Sequence, residues 1–336
     1  MKHFYPGFYD EFKCIAADCP DSCCKGWDVV VDDESEAYYN TVNTDFGKKI
    51  KDVTVTDEDG DRIFTLQNGQ CPFWNEDKLC DIYINLGENR LCKTCRMFPR
   101  ITQDYGTFAE HTLSLACPEA VRLVLESNTS GYNSFSETRE LNDDEYDKEI
   151  MELLLNGRQS TINILTENKS FISKLIKALE YNINVQDKID ASVDWYEKTD
   201  DLSFIIGEHE KLDYVDKNFK SAINGITLKA HDSTLDSVMT KLAVYYVYRY
   251  YLNAISSYYV LSTLKRVVCA YIVINSLTEY YDINTAFQQY SKEVEHSYEN
   301  TEYLDELFEN DERFGVMNLI ENLRESEAEE LTENQS

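Results

Sequence analysis

"CIAADCPDSCC" (residues 14–24) sets four cysteines into eleven positions, and how those thiols are used decides what kind of fold the first third of the chain adopts. Five more follow at Cys71, Cys80, Cys92, Cys95 and Cys117, and a tenth, Cys269, stands far from the rest. Nine clustered thiols cannot all pair with one another as disulfides. The opening "MKHFYPGFYDEFK" has neither the apolar run nor the small-residue cleavage site of a secretory signal. A cytoplasmic, reducing setting is therefore expected, and there clustered cysteines are read as metal ligands rather than disulfides.

The spacing is C-x4-C-x3-C-C, then C-x8-C-x11-C-x2-C-x21-C, which makes Cys14, Cys19, Cys23, Cys24, Cys71, Cys80, Cys92, Cys95 and Cys117 the candidate metal set. Cys92 and Cys95 have the spacing of one metal-binding knuckle. Cys71 and Cys80 flank an expected hairpin that would bring both thiols together. The adjacent Cys23 and Cys24 point to opposite faces of an extended chain, so either one ligates while the other packs, or the two serve different centres. All-thiolate ligation suits structural zinc and iron–sulfur clusters alike, and spacing does not separate them. Trp27, Phe73, Trp74, Met97 and Phe98 stand beside the thiols and supply either a dry shell for a cluster or a small apolar core. Cys19 and Cys23 match the first half of the radical signature CxxxCxxC, but position 26 is Gly26, which argues against radical chemistry.

Outward from the cysteines, the residues to about 125 predict short strands. "WDVVVD" (27–32) alternates Trp27, Val29 and Val31 on one face; "VTVTDEDGDRIFTLQ" (53–67) reads as a hairpin; "CPFWNEDKLCDIYIN" (71–85) reads as a shorter one; and "FAEHTLSL" (108–115) as a strand. Cys117 followed by Pro118 and Glu119 marks a helix start, where the macrodipole favours a thiolate or an anionic metal centre. "SNTSGYNSFSETRELNDDE" is polar and turn-rich, and 126–145 is taken as a linker. Beyond it the apolar spacing is helical: one helix from an Asp-rich cap to Gly157, another over 162–183, long helices near 233–253, 255–281 and 284–299, and shorter ones towards 325. An acidic disordered tail is expected over 326–336. The expected fold class is α+β, with a cysteine-rich metal-binding domain at 1–125 and a larger all-helical domain at 146–325.

The net charge of -30 over 336 residues excludes a nucleic-acid surface, which needs a basic face, and favours a basic, lysine-bearing partner. No run of apolar residues is long enough to span a bilayer. The most apolar stretch, 258–277, carries Lys265 and Arg266 at its middle and reads as a buried helix, so no membrane partner is expected. No strand leads into a G-x-G-x-x-G loop, the phosphate-cradling turn of nucleotide-binding α/β enzymes. His111 reads as a satisfied histidine, "DEDGD" (57–61) as a turn, the tyrosine stripe "YYVYRYY" (245–251) as packing, and Cys269 as a core residue.

"FKCIAADCPDSCCKGWDVVVD", "CPFWNEDKLCDIYINLGENRLCKTCRMFPR" and "LSLACPEA" resemble the flagellin lysine-N-methylase (FliB) family over about residues 3–125. The cysteine part is also similar to the wider YkgJ-type zinc- or iron-chelating domain. The resemblance implies S-adenosylmethionine-dependent N-methylation of lysine side chains on flagellin, with a [4Fe-4S] cluster among the cysteines. It leaves the catalytic and cofactor-contacting residues unassigned. The alternatives from the residues alone are a zinc-stapled protein-interaction module and a redox sensor.

Overall fold

The computed structural model describes residues 1–127, 132–138, 146–190 and 196–333. It is a mixed α and β fold, with its strands towards the N-terminus and helices beyond. Seven strands form two sheets: β1 (Lys2–Pro6), β2 (Val29–Val30), β3 (Thr54–Thr56), β4 (Arg62–Phe64), β5 (Arg100–Asp104), β6 (Phe108–Leu113) and β7 (Tyr132–Ser136). The larger sheet has the order β5-β6-β1-β7, with β1 parallel to β6 and antiparallel to β7. A parallel neighbour needs a long crossover. Here the crossover contains the whole cysteine-bearing stretch from residue 14 to 95, folded around the smaller sheet β2-β4-β3.

Four helices belong to that stretch: α1 (Asp33–Thr41), α2 (Asp45–Val53), α3 (Asp81–Leu86) and α4 (Lys93–Met97). The first two were not expected from the sequence, but each has a polar cap. Asp32 accepts from the Ser35 amide and Thr44 from the Gly47 amide, satisfying amides that a helix start leaves free. The 53–67 hairpin is present as β3–β4, turning through Gly60 at φ 92°. Val29 and Val31 face the core while Val30 is exposed, as the alternation required. The second expected hairpin is only half formed. Trp74 and Cys80 make a single antiparallel bridge, but "DIYINL" is helical because Asp81 opens α3 and holds the Asn75 side chain at 2.9 Å. Of its apolar residues Ile82 is buried, while Tyr83 and Ile84 stay exposed.

The remaining helices are α5 (Pro118–Glu126), α6 (Lys148–Leu165), α7 (Phe171–Ile189), α8 (Ser203–His209), α9 (Lys217–Ile223), α10 (Asp236–Tyr250), α11 (Ala254–Ser257), α12 (Leu261–Leu277), α13 (Ile283–Tyr290), α14 (Tyr298–Asn310) and α15 (Val316–Glu333). Helix α5 starts where Pro118 put it, with Cys117 at the N-cap. Helix α6 does not stop at Gly157. It runs through, because a Cβ there would lie 2.5 Å from the Tyr251 hydroxyl and glycine lets that ring pack against the helix. The Tyr251 hydroxyl then donates to Asn182 on α7 at 2.6 Å, tying three elements together. The expected 255–281 helix is broken at Tyr258 (φ 58°), where the Gln186 side chain takes up the freed backbone by bonding the Tyr258 carbonyl and the Val260 amide. Within the expected linker, Tyr132–Ser136 forms the edge strand β7; residues 128–131 and 139–145 lie outside the described residues. The expected acidic tail is helical as far as Glu333, and 334–336 lie outside the described residues.

Helix α12 is buried on all sides, and its two cations are satisfied internally: Lys265 donates to the Phe308 carbonyl at 2.8 Å, and Arg266 pairs with Asp305. Among the described residues, no helix is long and apolar enough to cross a membrane. Two apolar cores result. The larger joins the helices to Phe8, Phe12, Leu113, Leu115 and Cys117. The smaller holds Val29, Val31, Tyr39, Ile50, Phe64, Phe73 and Ile82 with Cys71 and Cys92. The division into units 1–125 and 146–325 remains a proposal; the apolar side chains of 1–125 are shared between both cores.

Candidate active site at the junction of the two cores

All ten cysteines are free thiols. Cys269 is fully buried in α12, as expected of a core residue. The other nine lie where the two cores meet, close enough for many of them to sense one another's charge. Cys23 and Cys24 are hydrogen-bonded through their sulfurs, as are Cys92 and Cys95. The Cys24 carbonyl accepts from the Cys71 amide at 2.8 Å, and the Tyr39 hydroxyl lies 3.5 Å from the Cys92 sulfur. Burial pushes the Cys71 thiol up to about 12 and Cys117 to about 11. At Cys117 the amides of Ala120 and Glu119 at the start of α5 pull the other way, but burial outweighs them, so the helix end alone does not make a thiolate. Among the described residues, no three His, Cys, Asp or Glu side chains converge as a closed metal group. The donors nonetheless fit a thiophilic metal in kind: soft sulfur ligands, grouped, unoxidised and partly shielded by Phe73, Trp74 and Phe98. Cys23 and Cys95 are reachable by solvent although protein surrounds them, as side chains on the wall of a cleft are.

From the thiols, Trp27 leads to the helical core. Its indole N–H donates to the Cys23 carbonyl at 2.9 Å, and its ring packs 5.8 Å from Phe98 and 5.7 Å from the His296 ring, centre to centre. His296 follows a π-helical turn, Ser291–Glu295, a distortion that often marks functional sites. Its Nε2 lies 2.6 Å from the Ser114 hydroxyl, just before Cys117. Part of the ring is open to solvent. The protein packed around it, and then the Arg249 guanidinium, push His296 below the ordinary histidine value, so the imidazole is neutral at pH 7.

Behind His296 lies a buried charged group. Glu295 is 3.5 Å from Arg249 and accepts from Tyr250 at 3.2 Å and from Ser291. Burial drives its carboxyl up, but Arg249, the Ser291 and Tyr246 hydroxyls and Arg266 more than reverse this and hold it ionised. In front, the Asp21 carboxylate accepts from Lys292 at 2.7 Å and Gln288 at 2.9 Å, while Gln288 also donates to the Ala116 carbonyl. The Lys292 ammonium sits 5.6 Å from the centre of the Trp27 ring, so that aromatic face already meets a cation. The arrangement offers a neutral imidazole, a fixed anion and an aromatic wall next to the thiols. That set can remove a proton from a cationic nitrogen. Sequence reasoning missed Asp21, Ser114, Arg249, Glu295 and His296, because nothing local distinguishes them.

The other expectations are settled by geometry. His111 bonds Thr102 at 2.9 Å and His3 at 2.8 Å on the sheet and is satisfied. Asp57 accepts from the Asp61 amide, a turn without a cation. Tyr245, Tyr246, Tyr248 and Tyr251 are buried packing residues. A hollow of about 610 Å³ runs along α14 with Glu299, Glu302, Asp305, Glu306 and Glu309; none of the thiols lines it.

Among curated proteins, 134 residues, 36% of this chain, align at 32% identity with the flagellar biosynthetic protein FliU of Salmonella muenchen, covering 75% of that protein. The same length aligns at 32% identity with the lysine-N-methylase of Salmonella typhimurium strain LT2 and at 31% with that of Salmonella choleraesuis strain SC-B67, covering 31% of each. The chain thus matches about a third of the length of the two methylases. No protein-family model matches the chain, and no solved structure does.

Proposed function

Since the chain belongs to the family of FliU and the lysine-N-methylases, we propose that it methylates lysine ε-amines of flagellin, with S-adenosylmethionine as methyl donor. The observation that carries the reading is the neutral His296, set between an aromatic wall and a buried ion pair beside the thiols. S-adenosylmethionine supplies a methyl group activated on a sulfonium, and the nine thiols would hold an iron–sulfur cluster at the junction.

The chain's own residues do the rest. A lysine nitrogen forms its bond to the methyl carbon as the carbon–sulfur bond breaks, sulfur keeps the electron pair, and one proton must leave nitrogen. In the tautomer that donates Nε2–H to Ser114, His296 carries a free lone pair on Nδ1 for that proton. The Glu295–Arg249 pair fixes the turn that carries His296, and Trp27 and Phe98 narrow its access to water. The carboxylates along α14 give a lysine-rich partner a complementary surface.

The test is transfer of labelled methyl from S-adenosylmethionine to flagellin by metal-loaded protein, with labelled lysine recovered on hydrolysis. His296→Gln is expected to lower turnover about 100-fold, the lower end for loss of a general base, with flagellin affinity unchanged. Wild-type turnover should fall as pH drops through the lowered His296 value, and the variant should lose that dependence. No transfer by the metal-loaded wild type overturns the methylase reading; unchanged turnover in His296→Gln overturns the role given to His296.

A further inference from the structure

The thiols do not surround one point. They fall into two groups joined only at the Cys23–Cys24 step. Cys117 belongs to the larger core, and the charges acting on its thiol are those of Cys19 and Cys14. Cys23 senses Cys14 and Cys117, and Cys19 senses Cys14. The other group belongs to the smaller core. Cys71 and Cys92 are buried within it, and Cys24 and Cys80 pack against it. Here backbone geometry sets the proximity: the Cys71 amide bonds the Cys24 carbonyl, and the Trp74–Cys80 bridge folds Cys80 back towards the start of its loop. Cys71 senses Cys24, Cys80 and Cys92, and Cys95 is hydrogen-bonded to Cys92. The interactions that cross between groups run through Cys23 or Cys24: Cys23 with Cys24, Cys19 with Cys24, and Cys95 with both.

We propose that the chain binds metal at two separate all-thiolate centres, an outer one of Cys14, Cys19, Cys23 and Cys117 and an inner one of Cys24, Cys71, Cys80 and Cys92. Cys95 is the ninth thiol, held beside the inner set. Each centre receives four sulfurs, the complement of a tetrahedral zinc or of a four-cysteine cluster. Neighbouring side chains on an extended backbone point apart, which lets one dipeptide serve both. The centres differ in surroundings. The inner one closes the smaller core. The outer one bridges the cores, with Cys14 and Cys23 exposed and Cys117 three residues beyond Ser114, the partner of His296. The inner centre is therefore structural, and the outer one faces the candidate active site.

The proposal rests on metal binding by the thiols and not on methyl transfer, and its test reads metal alone. The full chain is purified anaerobically as wild type and as the Cys14→Ser/Cys19→Ser double variant, and iron, zinc and sulfide are measured per chain. Both changed thiols are outside the buried cores, so the variant should keep its circular dichroism and its cooperative unfolding. The expected result is loss of one metal complement with the other kept at wild-type stoichiometry. Cys71→Ser/Cys80→Ser, if it folds, should show the converse. Loss of all metal from Cys14→Ser/Cys19→Ser, or no loss, overturns the two-centre assignment. Two centres in a protein that transfers no methyl would leave it standing and remove the methylase reading instead.

Discussion

The smaller core and the larger core solve the same problem with different materials. The smaller buries seven apolar side chains and two thiols under two- and three-residue strands. Around 70 residues with so few apolar groups fall short of what packing alone can stabilise, and such units rely on cross-links or metal. The larger core interlocks seven-residue to nineteen-residue helices around the fully enclosed α12 and satisfies its buried charges internally. The comparison teaches that one chain carries a region whose stability depends on what its thiols bind and another that depends on shape.

Three changes would break or sharpen that contrast. The largest effect is expected from Arg158→Ala. Arg158 on α6 donates twice to Glu110 on β6, both at 2.6 Å, and both side chains are buried. Removing the cation leaves a buried carboxylate unpaired, which costs about 3–5 kcal/mol. Urea unfolding should show that loss, with metal content per chain unchanged. Metal lost along with stability would mean that the two regions are not independent.

Next comes acid. His209 is fully buried, its Nδ1–H donating to the Ile205 carbonyl at 2.7 Å and its Nε2 accepting from Tyr290 at 3.0 Å. Burial lowers it to about 4 from 6.5. The unfolded chain therefore binds the proton first as pH falls. The histidine's full contribution is present above about pH 6.5 and is lost on the way to pH 4, about 3 kcal/mol in all. The stability–pH slope of the larger core should flatten in His209→Gln, and an unaltered slope would assign the acid sensitivity elsewhere.

The smallest is Asp32→Ala, in the smaller core. Asp32 caps α1 through the Ser35 amide and also accepts from the Lys93 amide at 2.7 Å, beside Cys92. Losing the cap costs about 1 kcal/mol. Amide exchange should speed up in α1 and around 92–95 while α12 stays protected. Equal acceleration in α12 would show a single cooperative unit.

Much of this contrast was legible in the residues. The thiol clustering, the Cys117–Pro118 helix start, the 53–67 hairpin and the burial of α12 despite two cations all follow from local pattern. What failed also has local reasons. Gly157 looked like a stop because glycine is a poor helix former, yet a distant tyrosine needed the space. "DIYIN" alternates like a strand, but one capping aspartate and a single buried isoleucine suffice for a short helix.

By itself, the sequence determined the class of the fold, the concentration of metal-type ligands ahead of the helices, and the absence of a basic face, because composition and short-range periodicity carry those properties. Only the tertiary structure decided which thiols are neighbours and that His296 stands beside Ser114, 182 residues away along the chain. It also decided that β1 pairs in parallel with β6 across the whole cysteine stretch. The reason is the same in each case. Proximity between distant segments is set by how two cores pack together, and the cost of closing such long loops leaves no mark on the residues that close them.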